Sequence, residues 1–287
     1  MYFEPRTVEE AIGILGETGA AILAGGTDFY PALGDRPVAR PLLDISAIRD
    51  LRGIRRADGA FRIPANATWA DLLAAPLPPA FDGIVAAARE VGSIQIQAVA
   101  TVVGNVCNAS PAADGVPCLI ALDARVEIAG PAGSRTMPIE RFVLGPRRTA
   151  LAPAEMVTAI LVPDPGEDGL AVGSAFEKLG ARRYLVISIA SVAAVIAVAE
   201  GTVARAAVAV GACSPVPVRL HALEAALVGC PAVAEAVAAR PDREHLAPIA
   251  PIGDVRGTAD YRAAAAPVLL RRALVRALPA AAGGAAR

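Results

Sequence analysis

Apolar and polar positions change rhythm several times along the chain, and each change predicts an element. Thr7 followed three residues later by Glu10 is a capping-box pattern. A helix should begin there, with Ala11, Ile12 and Leu15 on one face and Gly16 or Gly19 ending it. Ala21-Ile22-Leu23-Ala24 is apolar without alternation, as expected of a strand covered on both faces, and it runs into Gly25-Gly26. Short apolar runs follow at 42–45, 53–55 and 61–63, with Gly59 marking a hairpin turn, and Thr68 with Asp71 repeats the cap signal. Residues 81–91 read as a helix ended by Gly92, 94–106 as mostly strand-like and interrupted by Gly104, and 111–123 as a turn and short helix. Alternation in Val126-Glu127-Ile128 predicts a strand before a turn at 130–133.

Pro, Asp and Gly crowd residues 163–169, which marks a linker or exposed loop. Beyond it, strands expected at 174–178, 186–198 and 203–210 precede helices expected at 219–227, 232–240 and 258–278, the last carrying Pro267 as a potential kink. Strands followed by helices make the fold class α+β. The most apolar stretch, 184–199, is shorter than the ~20 residues of a membrane helix and contains Ser188 and Ser191. Its many β-branched residues favour a buried strand. The end, 279–287, is Ala and Gly without pattern and is expected to be a flexible tail.

Composition narrows the chemistry. Of 287 residues, 55% are hydrophobic and 19% charged, which suits a globular chain with more than one core. A formal charge of -1 leaves no electrostatic case for nucleic acid or an anionic membrane as partner. Cys107, Cys118, Cys213 and Cys230 form no C-x-x-C pair, so no metal site is expected, and the only histidines, His221 and His245, leave little room for His-based catalysis. The opening Met-Tyr-Phe-Glu-Pro lacks a secretory pattern, which makes a cytoplasmic location with reduced thiols the expectation.

Two segments stand out against this background. In Leu23-Ala24-Gly25-Gly26-Thr27-Asp28 a strand ends in glycines whose missing Cβ atoms let backbone amides approach a diphosphate, with the Thr27 hydroxyl as a further donor. Between 101 and 114, Thr101, Asn105, Asn108 and Ser110 offer neutral donors around Gly104. A Gly-Gly turn alone is commonly just a turn, and neither G-x-G-x-x-G opening a helix nor a P-loop is present, so a different dinucleotide fold is required.

The two segments together resemble the FAD-binding medium subunits of the molybdenum hydroxylases, the xanthine dehydrogenase and aerobic carbon monoxide dehydrogenase type. Ala24-Gly25-Gly26-Thr27-Asp28 is similar to the first flavin motif of that family. Thr101-Val102-Val103-Gly104-Asn105 with Ala109-Ser110-Pro111-Ala112-Ala113-Asp114 is similar to the second. Further matches lie at Leu144-Gly145-Pro146, Phe176-Glu177-Lys178-Leu179-Gly180, Pro215-Val216-Pro217-Val218-Arg219 and the run from Asp254 to Arg262. The resemblance implies a two-subdomain FAD-binding fold of the vanillyl-alcohol oxidase type (PCMH-type) over 1–168, divided near 57, plus a C-terminal α+β domain of antiparallel sheet and helices over 169–278.

It also implies that Ala24, Gly25, Gly26, Thr27, Asp28 and Phe29 contact the FAD pyrophosphate through backbone amides and the Thr27 hydroxyl. Thr101, Gly104 and Asn105 would close the other side, Leu23 and Asn108 count among the cofactor-binding residues, and Asp114, Val157 and Lys178 match further flavin-contacting positions. Three positions depart from the pattern: Val103 stands where the family usually has Gly, Gln97-Ala98 where Arg or Asn is common, and Val91 where some members stack a Phe on the flavin. Cys107, inside the second motif, reads better as a small filler than as a redox thiol.

The function so implied is an FAD-dependent electron-transfer subunit with no catalytic residue of its own. It would take electrons from a small subunit with [2Fe-2S] clusters, which serves a molybdopterin-binding large subunit, and pass them to NAD, oxygen or quinone. A stand-alone FAD oxidoreductase of the same fold, or a scaffold that has lost its flavin, are the alternatives.

Overall fold

The computed structural model describes residues 1–166 and 168–280; most of the expected flexible tail, 281–287, lies outside them. The architecture is α+β, and the chain folds into two compact units. The first comprises Met1–Ala75, Val91–Ser110 and Ala124–Pro163; the second comprises Pro76–Glu90, Pro111–Asp123 and the chain from Asp164 onward. The division is therefore not contiguous in sequence: two segments before residue 168 pack with the C-terminal strands.

In the first unit, Thr7 caps the helix Val8–Thr18 by accepting from the Glu10 amide, and Gly19, at φ 60°, ends it. The Glu10 carboxylate reaches back to the Arg6 amide rather than that of Thr7. This helix leads into the strand Ala21–Leu23, which lies in a three-stranded parallel sheet with Leu42–Asp44 in the middle and Tyr2–Phe3 on the far side. A five-stranded antiparallel sheet follows, ordered Arg55–Ala57, Ala60–Pro64, Met156–Pro163, Arg125–Gly130, Gly133–Pro138. Asp58 and Gly59, both at positive φ, form its first hairpin turn. Thr68 and Asp71 complete a reciprocal capping box at the helix Trp69–Ala74.

The strand-like reading of 94–106 is corrected: the segment forms the helices Ile94–Gln97 and Val102–Asn108. Capping overrides the β-branched composition there, because Ser93 accepts from the Ile96 amide and Thr101 from the Gly104 amide. Val102, Val103 and Val106 then bury their side chains on one side of a short helix packed on the antiparallel sheet.

The second unit is built on a four-stranded antiparallel sheet of Ala171–Leu179, Ala190–Ala199, Thr202–Gly211 and Val218–Arg219. Ala190, Val192, Ala194 and Ile196 join one apolar cluster with Leu223 and Leu227 of the helix His221–Leu227 and Leu270 and Leu274 of the helix Ala259–Arg276. Alternate residues Ser191, Ala193 and Ala197 are buried as well, and Pro117 of the helix Gly115–Ala121 sits against Gly211, the partner of Ser191. Burial on both faces explains an apolar run without alternation. The expected strand at 186–198 starts only at Ala190.

Close backbone approach brings Pro76–Glu90 into this unit. A Cβ on Gly83 would lie 3.1 Å from the Ala175 carbonyl group, and the Gly83 amide donates to Ser174 Oγ at 2.8 Å.

Candidate functional site

The strand Ala21–Leu23 delivers its last residue, buried Leu23, to a loop at the carboxyl end of the parallel sheet, where ligands of open parallel sheets are usually held. The Leu23 carbonyl accepts from the Ile45 amide and the Gly26 carbonyl from the Tyr30 amide, so both ends of the loop are anchored. Between them, the amides of Gly25, Gly26, Thr27 and Asp28 donate no hydrogen bond to any described residue. Four consecutive unspent donors are thus available to an anion. Gly26 takes φ 69°, the left-handed region where glycine is unstrained.

Gly25 explains how the two motifs meet. A Cβ there would fall 2.0 Å from the Val99 carbonyl oxygen and 3.0 Å from Ala100 Cα. Backbone therefore lies directly on backbone, which sets the glycine loop beside the start of the helix Val102–Asn108. Thr101, 6% exposed, caps that helix through a 3.0 Å bond from the Gly104 amide. One turn on, Asn105 carries a buried side-chain oxygen with no hydrogen-bond partner. An orphaned buried acceptor costs about 1–3 kcal/mol, so the Asn105 side chain is held there at a cost to the fold.

Asp28 is exposed and makes no side-chain cap bond at the helix Phe29–Leu33, leaving its carboxylate available to hydroxyl groups. Asn108, by contrast, is engaged: Arg147 donates to its side-chain oxygen. Val157 is 4% exposed in the strand Met156–Pro163, and its side chain belongs to the core. Val103 is 4% exposed, so the bulk that replaces glycine there is absorbed by packing. Burial pushes the Cys107 thiol pKa up to about 12, which keeps it protonated at neutral pH.

Asp114 and Lys178 lie in the second unit. Lys178 Nζ donates to Asp114 Oδ2 at 2.7 Å, and both side chains are under a tenth exposed. Ser188, also buried, donates through Oγ to Asp114 Oδ1 at 2.5 Å. Burial raises the Asp114 carboxyl above its ordinary range, while Lys178 and Ser188 pull it down without restoring it. Asp114 thus spends its carboxylate on an ion pair and not on capping the helix Gly115–Ala121 that follows it.

The close-packed Gly25, the left-handed Gly26 and the unspent amides of 25–28 are neutral donors of the kind that suit a diphosphate. Residues 1–165 match the family model of the FAD-binding domain in molybdopterin dehydrogenase, and residues 174–277 that of the CO dehydrogenase flavoprotein C-terminal domain. The chain belongs to the molybdopterin dehydrogenase FAD-binding family. Among its relatives are the carbon monoxide dehydrogenase medium chain of Hydrogenophaga pseudoflava, 33% identical over 95% of both chains, and the putative xanthine dehydrogenase FAD-binding subunit of Escherichia coli K12, 31% identical over 98% of this chain and 97% of the other. A solved carbon monoxide dehydrogenase from Hydrogenophaga pseudoflava superposes with a TM-score of 0.88, covering 96% of each chain at 33% identity.

For this FAD-binding family member, sequence reasoning missed Val99 and Ala100, the backbone partners of Gly25, and Ser188, the third member of the buried cluster. None carries a local signal, since each acts on a residue far along the chain. The absent Cβ of Gly25 was the one clue to a close approach, and it does not say to what.

Proposed function

We propose that this chain is the FAD-carrying electron-transfer subunit of a molybdenum hydroxylase complex. In this reading a small subunit delivers electrons from its [2Fe-2S] clusters, a large molybdopterin subunit oxidises the substrate, and an acceptor such as NAD, oxygen or quinone collects electrons from this chain. FAD supplies the redox chemistry, accepting electrons singly or in pairs. The protein's own residues hold the cofactor.

The observation that carries the reading is the run of unspent amides at 25–28, held by the Gly25 contact with Val99 and Ala100. Residues 23–29 with Thr101, Gly104 and Asn105 form the phosphate-holding part of the proposed site. Preorganised neutral donors bind a diphosphate without a lysine, consistent with Lys178 being the sole lysine of the chain and already paired with Asp114.

Purification of the tagged chain from cells expressing its neighbouring genes tests this role. Two further polypeptides should accompany it, one with molybdopterin and one with iron and sulfide, and substrate added to that complex should bleach the flavin. A flavin-containing chain that oxidises substrates alone would make it a stand-alone oxidoreductase. A chain that joins the complex without flavin would make it a scaffold.

A further inference from the structure

Tyr30 is set against the phosphate-holding loop in a way that folding does not require. Its ring lies across Gly26: a Cβ on that glycine would come within 2.8 Å of Tyr30 Cε2 and 3.0 Å of Cδ2. Phe29 packs on the ring in a T-shaped arrangement, with centroids 5.4 Å apart and planes at 86°. The helix Phe29–Leu33 fixes its backbone through the bond from the Tyr30 amide to the Gly26 carbonyl. Despite these restraints Tyr30 remains 53% exposed, in a chain with only 4% aromatic residues. A braced, half-open aromatic ring beside four unspent backbone donors is a flat apolar surface next to an anion site.

We propose that Tyr30 is the platform on which the adenine of the dinucleotide stacks, so that it selects FAD over FMN. The inference rests on the reading that the loop at 25–28 holds the FAD pyrophosphate. Of the two ring systems in FAD, adenine is the nearer to that diphosphate, separated by one ribose, whereas the isoalloxazine is separated by an extended ribityl chain. A ring packed on Gly26 therefore meets adenine first. Stacking needs the π face and not the hydroxyl, so phenylalanine should serve in its place and leucine, which fills the same space, should not.

The test titrates the flavin-stripped full chain with FAD, FMN, ADP and inorganic pyrophosphate. Wild type should bind ADP at least about tenfold more tightly than pyrophosphate, within the range a stacked base supplies. Tyr30→Leu should lose that advantage and bind FAD about tenfold more weakly, with FMN affinity unchanged. Tyr30→Phe should behave as wild type. Equal binding of ADP and pyrophosphate by a wild-type chain that still takes up FAD overturns the platform alone, as does a Tyr30→Leu variant with wild-type ADP and FAD affinity. A wild-type chain that takes up no FAD overturns the reading on which the platform rests. A thermal melt of each variant separates lost stacking from lost folding, and the half-exposed position predicts unchanged melts.

Discussion

The Cα of Gly25 lies so close to the Val99 carbonyl that no side chain fits between them, with a Cβ placed 2.0 Å from the oxygen. That approach ties together two stretches separated by more than seventy residues, both in the surface proposed to hold the FAD diphosphate. Gly26 differs in kind, since its demand is a positive φ and the atom it meets belongs to a side chain.

The two glycines should therefore respond differently. Gly25→Ala must displace the 99–100 backbone and should abolish FAD binding along with a large part of the unit's stability. Gly26→Ala carries only the left-handed penalty of about 1 kcal/mol, plus a swing of the Tyr30 ring, and should retain weakened binding. Thermal melts with flavin stoichiometry compare them; equal behaviour would mean the Val99 contact does not organise the loop.

Asn105→Ala should separate stability from function. Removing a buried acceptor that has no partner relieves an unfavourable group, so the flavin-free chain should melt at or above the wild-type temperature. FAD affinity should fall at the same time. A variant that loses stability while keeping affinity would place the Asn105 amide in the fold and not in the site.

These contrasts show what was legible beforehand. Local signals translated directly: the Thr7 and Thr68 caps, the Asp58-Gly59 turn and the alternation at 126–128 all became the expected elements. The stretch 94–106 misled because Ile94, Ile96, Val99, Val102, Val103 and Val106 suggest strand by side-chain shape, while the deciding groups are the Ser93 and Thr101 oxygens. Glycine spacing exposed the loop at 25–28. The loop's partner at Val99 and Ala100 was invisible, because a backbone carbonyl carries no residue identity. Likewise nothing local links Ser188 to Asp114, 74 positions earlier.

The buried Asp114–Lys178 pair gives a prediction with a pH signature. Lys178→Met leaves a carboxylate in the interior of the second unit, which should cost about 3–5 kcal/mol at neutral pH. Burial already raises the folded-state pKa of Asp114, and losing the ammonium raises it further. A carboxyl with a raised folded pKa favours folding at low pH and loses that contribution as pH climbs through the folded value. The penalty should thus be large at pH 8 and shrink toward pH 5 as Asp114 takes up its proton, and Asp114→Asn in the Lys178→Met background should recover much of the stability. Denaturant melts across that range check it; a penalty independent of pH would contradict it.

Arg262 is 1% exposed and donates to the Ile189 and Ala212 carbonyls while pairing with Asp254 at 2.6 Å. A lysine has one ammonium and cannot span those three acceptors, so Arg262→Lys should destabilise the second unit nearly as much as Arg262→Met. FAD retained by either variant at low temperature would agree with the proposed phosphate-holding loop, which lies in the first unit. Melts that coincide with wild type would show that the Arg262 network contributes nothing.

The most direct test of the account is the flavin content of the purified full-length chain. One FAD per chain is predicted, visible as a flavin absorbance spectrum and released into the supernatant by acid, since neither histidine lies in the loop at 25–28 or the segment 101–110 and burial keeps the Cys107 thiol there protonated. Flavin that stays with the precipitated protein would contradict noncovalent binding. A colourless chain that takes up no added FAD would contradict the site itself.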